Sequence, residues 1–153
     1  MKKFELTTDT KMRFGKKLFR IKALISFGNV RAGDVGGYIE KEENLSQYGN
    51  AWVYGDAEVH GNAWVYGNAW VSGNAKVSGD ADYATASGFG SEYRTTTFFK
   101  LKNSDEIGVR CGCFYGTLKE FKEKVKETHG ETKKAKEYLM LADLMKYRFS
   151  EEK

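Results

Sequence analysis

The sequence predicts a mainly β fold: a short β-helix, or solenoid, of hexapeptide repeats, set between a β-rich N-terminal cap and a C-terminal β-hairpin with two α-helices. Three observations predict it. A six-residue unit, Gly-(Asn/Asp)-Ala-x-Val-x, recurs from Gly49 to Ala84. The 153 residues include 17 glycines and no proline, which suits regular tight turns. After the repeats, apolar spacing changes from a period of two to that of a helix. The expected divisions are a basic cap over 1–36, repeats over 37–84, and a ββαα cap or interaction module over 85–153.

In the cap, Leu18 to Ile25 carries β-type alternation and predicts a strand or hairpin. Asn29 to Gly37 is rich in turn residues and leads into the first coil. Nine Lys/Arg against three acids make this segment strongly basic, whereas the repeats hold two lysines and seven acids. The charge is therefore expected to be segregated along the molecule.

Within each unit, Ala-x-Val is a short strand with two inward side chains and one outward between them. Gly-Asn and Gly-Asp supply the corners, because both residue types tolerate left-handed backbone. The strict units are GNAWVY, GDAEVH, GNAWVY, GNAWVS, GNAKVS and GDADYA, with two degenerate copies from Gly37 to Tyr48. At eighteen residues per turn, Trp52 would sit on Trp70, Tyr48 on Tyr66, Val53 on Val71, Val59 on Val77 and Glu58 on Lys76. So short a solenoid exposes strand edges and core at both ends, so it needs caps.

In the tail, Thr95 to Lys102 and Ile107 to Tyr115 read as the two strands of a hairpin. Thr117-Leu118-Lys119-Glu120 is a capping box opening a helix with Leu118, Phe121 and Val125 on one face. Gly130 ends that helix. A second helix over Thr132 to Phe149 presents Ala135, Tyr138, Leu139, Ala142, Met145 and Phe149, with Leu141 and Leu144 widening the stripe. Glu120 and Lys124 form an i,i+4 pair on the solvated face.

Composition narrows the function classes. A net charge of +4 excludes an acidic DNA mimic and does not require a nucleic-acid partner. No apolar run is long enough for a membrane span. Met1-Lys2-Lys3 leads into Phe4-Glu5-Leu6 and not into an apolar stretch, so no signal peptide is expected. With two cysteines, this fits a reducing, cytoplasmic setting.

The repeat resembles the hexapeptide-repeat left-handed β-helix family, whose triangular coils use three units per turn. The resemblance implies a left-handed solenoid, although the slot after the aliphatic residue holds Tyr, His or Ser here and not a small residue. The whole layout is similar to a group of small phage and prophage proteins that share IxALxxFGxVxAGDxGGYIE, GNAxVxG repeats and a tail with CGCF, THG and AKEY. The matching pieces are Ile21 to Glu40, Gly49 to Ala84, Cys111 to Phe114, Thr128 to Gly130 and Ala135 to Tyr138. This resemblance implies a phage-associated protein of the bacterial cytoplasm and fixes no single activity.

No catalytic residue, metal or cofactor is expected. Hexapeptide acyltransferases use a histidine base served by a protruding loop, and the zinc enzymes of that fold need three histidines. This chain has two, His60 and His129, and repeats without insertion. His60 is read as a solvated outward side chain, and His129 as a residue favouring the negative end of a helix dipole. Cys111 and Cys113 share one strand face and read as small core residues before a metal or redox pair. The informative set is aromatic: Trp52, Tyr54, Trp64, Tyr66 and Trp70 fall in outward slots. They form a partner-binding or oligomer surface, or else are covered by a flanking segment or stabilise adjacent coils. Lys16, Lys17 and Arg20, with Lys11, Arg13 and Lys22, read either as ordinary solvated residues of a cap or as contacts to a partner or to phosphates.

The expected function is non-catalytic binding that occludes a host protein or nucleoprotein complex. With the phage resemblance, the specific expectation is a counter-defence, anti-CRISPR-like inhibitor of a host nuclease complex. A self-assembling structural solenoid is the alternative. An acyltransferase and a direct nucleic-acid binder follow it.

Overall fold

The computed structural model describes residues 2–13, 15–79, 82–89, 94–102, 105–111 and 114–150. The chain opens with an antiparallel hairpin, β1 (Phe4–Arg13) and β2 (Lys16–Ala23), followed by β3 (Val35–Ile39). The repeats contribute four two-residue strands: β4 (Trp52–Val53), β5 (Glu58–Val59), β6 (Trp70–Val71) and β7 (Lys76–Val77). Then come β8 (Tyr83–Phe89), β9 (Arg94–Lys100), β10 (Ile107–Cys111), β11 (Phe114–Thr117), α1 (Leu118–His129) and α2 (Lys133–Phe149).

The expected β-helix is corrected here. The described strands form a five-stranded mixed sheet, β1-β2-β3-β5-β7, a four-stranded antiparallel sheet, β11-β10-β9-β8, and the parallel pair β4-β6. They do not make one capped solenoid. Two causes are visible. Each repeat strand has only two laddered residues: β5 and β7 extend the hairpin's sheet, β4 and β6 pair with each other, and no long coil wall is built. The N-terminal hairpin is joined to the repeats through β3, with Tyr38 opposite Glu58 and Ile39 opposite Val59. The first expected cap is thus continuous with the repeats. Several pairings expected at eighteen-residue spacing are present nonetheless: Trp52–Trp70, Val53–Val71, Glu58–Lys76 and Val59–Val77 stand in parallel register.

The corner chemistry explains the glycines. Gly49, Gly55, Gly61, Gly67 and Gly73 all have φ between 63° and 71°, the left-handed region that a Cβ disfavours. Inside the repeats, Ala51, Ala57, Ala63, Ala69 and Ala75 join Val53, Val59, Val65, Val71 and Val77 in one buried core. Tyr83 and Phe99 belong to that core from the antiparallel sheet. The sheet's other face, with Phe98, Ile107 and Val109, packs on Phe121, Val125, Tyr138 and Met145 of the helices. The antiparallel sheet is therefore a middle layer between repeats and helices. β8 starts inside what the sequence reads as the last hexapeptide, because Tyr83 and Ala84 pair with Phe99 and Phe98.

Both helix starts follow from capping. The Thr117 hydroxyl accepts from Glu120 N–H at 3.2 Å, and Glu120 Oε1 accepts from Thr117 N–H at 2.9 Å. Thr132 caps α2, and Gly130 closes α1 at φ 60°. Glu120 is engaged in its cap, and the surface pairs instead join Lys124 to Glu127 and Lys122 to Asp143. Leu144 points away from the core at 54% exposure. Among the described residues, no helix is long and apolar enough to cross a membrane, which says nothing of strands.

Candidate binding surface

The five aromatic residues of the repeats fall into three environments. Trp52 is corrected from outward to core: it is 0% exposed. Phe4 and Phe27 approach its ring edge-on at 6.5 and 5.3 Å, so the N-terminal segment lies over this outward slot. Gly36 permits that closeness, since a Cβ there would come within 2.8 Å of the indole. Tyr54 and Trp70 stack on each other at 6.2 Å, and the Arg110 guanidinium of β10 lies 5.0 Å from the Trp70 ring and 5.8 Å from Tyr54. The backbone N–H of Trp70 donates to the Thr97 hydroxyl of β9. This pair therefore helps join the repeats to the antiparallel sheet.

Trp64 and Tyr66 differ. Their rings stack at 4.5 Å with 25° between planes, and they remain 48% and 52% exposed. They line a groove of about 670 Å³, whose other wall is formed by Tyr83, Thr85 and Thr95 with Arg148 from the end of α2. Repeat geometry fixes the rings from beneath. Ala63 and Val65 alternate into the core on either side of Trp64, and the Tyr83 hydroxyl donates to the Trp64 carbonyl. The result is an aromatic wall facing a polar one.

The basic segment meets the acidic repeats. Glu58 occupies an outward slot yet is 0% exposed. Its carboxylate is held by Lys11 at 2.6 Å, Arg13 at 2.8 Å and Lys102 at 3.2 Å. Burial opposes its charged form, but hydrogen bonds from Arg13, Lys11 and Lys102 outweigh burial and bring its pKa down to about 2. Burial lowers the Lys102 pKa and the neighbouring Lys11 and Arg13 charges lower it further, against the Glu58 carboxylate, which raises it. Of the predicted contact residues, Lys16 lies 3.8 Å from Glu40, Arg20 pairs with Asp9 and Asp56 at 3.3 Å, and Lys17 lies over the Phe19 ring. Lys11 and Arg20 also flank the Tyr38 ring at 4.1 and 4.4 Å. These residues are brought together around β3 and β5, apart from the groove-lining set. Much of the segment's positive charge is neutralised within the chain.

The histidines are structural in their placement. His60 is corrected from solvated to buried, at 7% exposure, and neither ring nitrogen has a hydrogen-bond partner among the described residues. Burial and the Lys16 and Lys76 charges lower its pKa, against Glu40 and Glu58, so it is held neutral. His129 stacks on Tyr138 at 6.0 Å. Cys111 is half-buried and accepts from the Thr96 hydroxyl at 3.2 Å, while Cys113 lies outside the described residues. Among the described residues no three His, Cys, Asp or Glu side chains gather as a metal site.

Sequence reasoning missed the Glu58 cluster and the polar wall of the groove. Both depend on long-range pairing: Arg13 is 45 residues from Glu58, and Arg148 meets Trp64 only through the tail. The one signal available was Glu58 itself, an acid in a slot that Trp holds in three of the six strict units. No family model matches the chain, and no curated protein matches it.

Proposed function

We propose that the chain is a non-catalytic binding protein that occludes a nucleoprotein partner through the Trp64–Tyr66 groove. The specific form is a counter-defence inhibitor that blocks a host nuclease complex. The observation that carries the reading is the stacked pair itself. Two large rings, each half exposed and stacked on either side of Val65, whose side chain is in the core, provide apolar contact area at little entropic cost, as binding hot spots do. The adjoining Arg148 and the Thr85 and Thr95 hydroxyls give the groove a polar wall suited to a charged, hydrogen-bonding partner. A catalytic reading gains nothing from the histidines, because the His60 ring is enclosed and His129 is occupied against Tyr138.

The test uses a partner purified from the host after capture by the full chain. Affinity for Trp64→Ala/Tyr66→Ala is measured beside wild type, together with the partner's nuclease activity. The expected result is a loss of at least about 30-fold in affinity, as for two kcal/mol of hot-spot contact, and relief of inhibition. Unchanged affinity of the folded double variant overturns the reading.

A further inference from the structure

The groove beside Trp64 joins three chemistries in one place. The first is a stacked aromatic pair, the half-exposed Trp64 and Tyr66 rings with centroids 4.5 Å apart, which a further flat ring can extend. The second is a cation: Arg148 lines the same groove and makes no ion pair among the described residues. The third is a row of hydroxyls on β8 and β9, Thr85, Ser87 and Thr95, of which Ser87 and Thr95 share a 2.7 Å hydrogen bond. None of the described residues lining the groove is a carboxylate.

We propose that this groove holds one unstacked nucleotide, with its base on the Trp64–Tyr66 rings and its phosphate at Arg148. The inference deepens the reading of this surface as the contact face and rests on it. Each part of a nucleotide meets a matching group. Bases stack on aromatic side chains regardless of sequence. A guanidinium pairs with phosphate through two parallel hydrogen bonds. Hydroxyls suit the sugar and the base edge. A neutral sugar would leave Arg148 without a partner, and an acidic peptide would leave the ring faces without a flat one. The volume of about 670 Å³ fits a small ligand and not a duplex. The nucleotide has two sources, a free mononucleotide or an unpaired position in a single strand of a nucleoprotein.

The test is calorimetric titration of the full chain with AMP, with adenosine and with a short single-stranded oligoadenylate at fixed salt. Saturable binding of AMP or the oligonucleotide is expected. Trp64→Ala should weaken it at least tenfold. Arg148→Gln, at an exposed position, should reduce AMP to the affinity of adenosine and leave adenosine unchanged. Tighter AMP assigns a free nucleotide, and tighter oligonucleotide assigns a strand. Absence of saturable binding for all three ligands to about 1 mM, or binding indifferent to both substitutions, overturns the inference. If no ligand binds while Trp64→Ala/Tyr66→Ala still loses the purified partner, the nucleotide assignment fails and the contact surface stands. If nucleotides bind while partner affinity is unchanged in that variant, the contact surface fails and the nucleotide assignment stands.

Discussion

A carboxylate in the outward slot of a repeat would ordinarily be solvated, yet Glu58 is enclosed by Lys11, Arg13 and Lys102. Replacing it leaves three cations crowded around an uncharged group. Glu58→Gln is therefore expected to cost about 3–5 kcal/mol of stability, read by urea denaturation at neutral pH. The pH dependence has a definite sign. A carboxyl whose folded pKa is depressed contributes stability above its unfolded pKa and loses it as pH falls through the folded value. For Glu58 the window runs from about 4.5 down to about 2, and Glu58→Gln should lack that part of the acid transition. His60 acts at higher pH. Its lowered pKa means that the unfolded chain takes up a proton before the folded one does, so stability falls as pH drops below about 6.5. Lys16 and Lys76 oppose that proton and Glu40 and Glu58 favour it. His60→Phe should flatten the stability curve below about pH 6.5, and an unchanged slope would contradict a lowered folded-state pKa. Neither the Glu58 nor the His60 environment was legible in the sequence. Both residues sit in slots that alternation assigns to solvent, and what covers them comes from elsewhere in the chain.

At the scale of elements, the repeats and helices were legible because local rules decide them. The Gly-Asn corner needs left-handed backbone wherever it occurs, and the capping box at Thr117 needs only four consecutive residues. Gly61 shows the consequence: its φ is 65°, and a Cβ would stand 2.5 Å from the Ser78 carbonyl oxygen. Gly61→Ala should destabilise by more than about 1 kcal/mol, since both strain and contact oppose the methyl group. Thr117→Ala should cost about 1 kcal/mol through loss of the cap, checked by its thermal midpoint. What local rules left undecided is which edge each strand meets. The two-residue strands of the repeats carry little pairing of their own, so β5 and β7 continue the sheet that the N-terminal hairpin begins. β8 shows the same effect. Its sequence reads as a final hexapeptide, but Tyr83 and Ala84 are paired by β9.

For the whole molecule, the segregated charge of the sequence becomes an internal contact between the N-terminal hairpin and the repeats. The groove is likewise a product of assembly, with rings from the repeats, hydroxyls from the middle sheet and Arg148 from the last helix. Of the five aromatic residues singled out in the sequence, only Trp64 and Tyr66 line that groove; Trp52 is core, and Tyr54 and Trp70 are joined by Arg110. The account predicts that a partner docks on the groove and away from the hairpin. Hydrogen exchange of the full chain with and without its purified partner tests this most directly. Protection gained at residues 63–68 and 83–87, with the β1–β2 hairpin unchanged, is the predicted result; protection at the hairpin with the groove unchanged would contradict it.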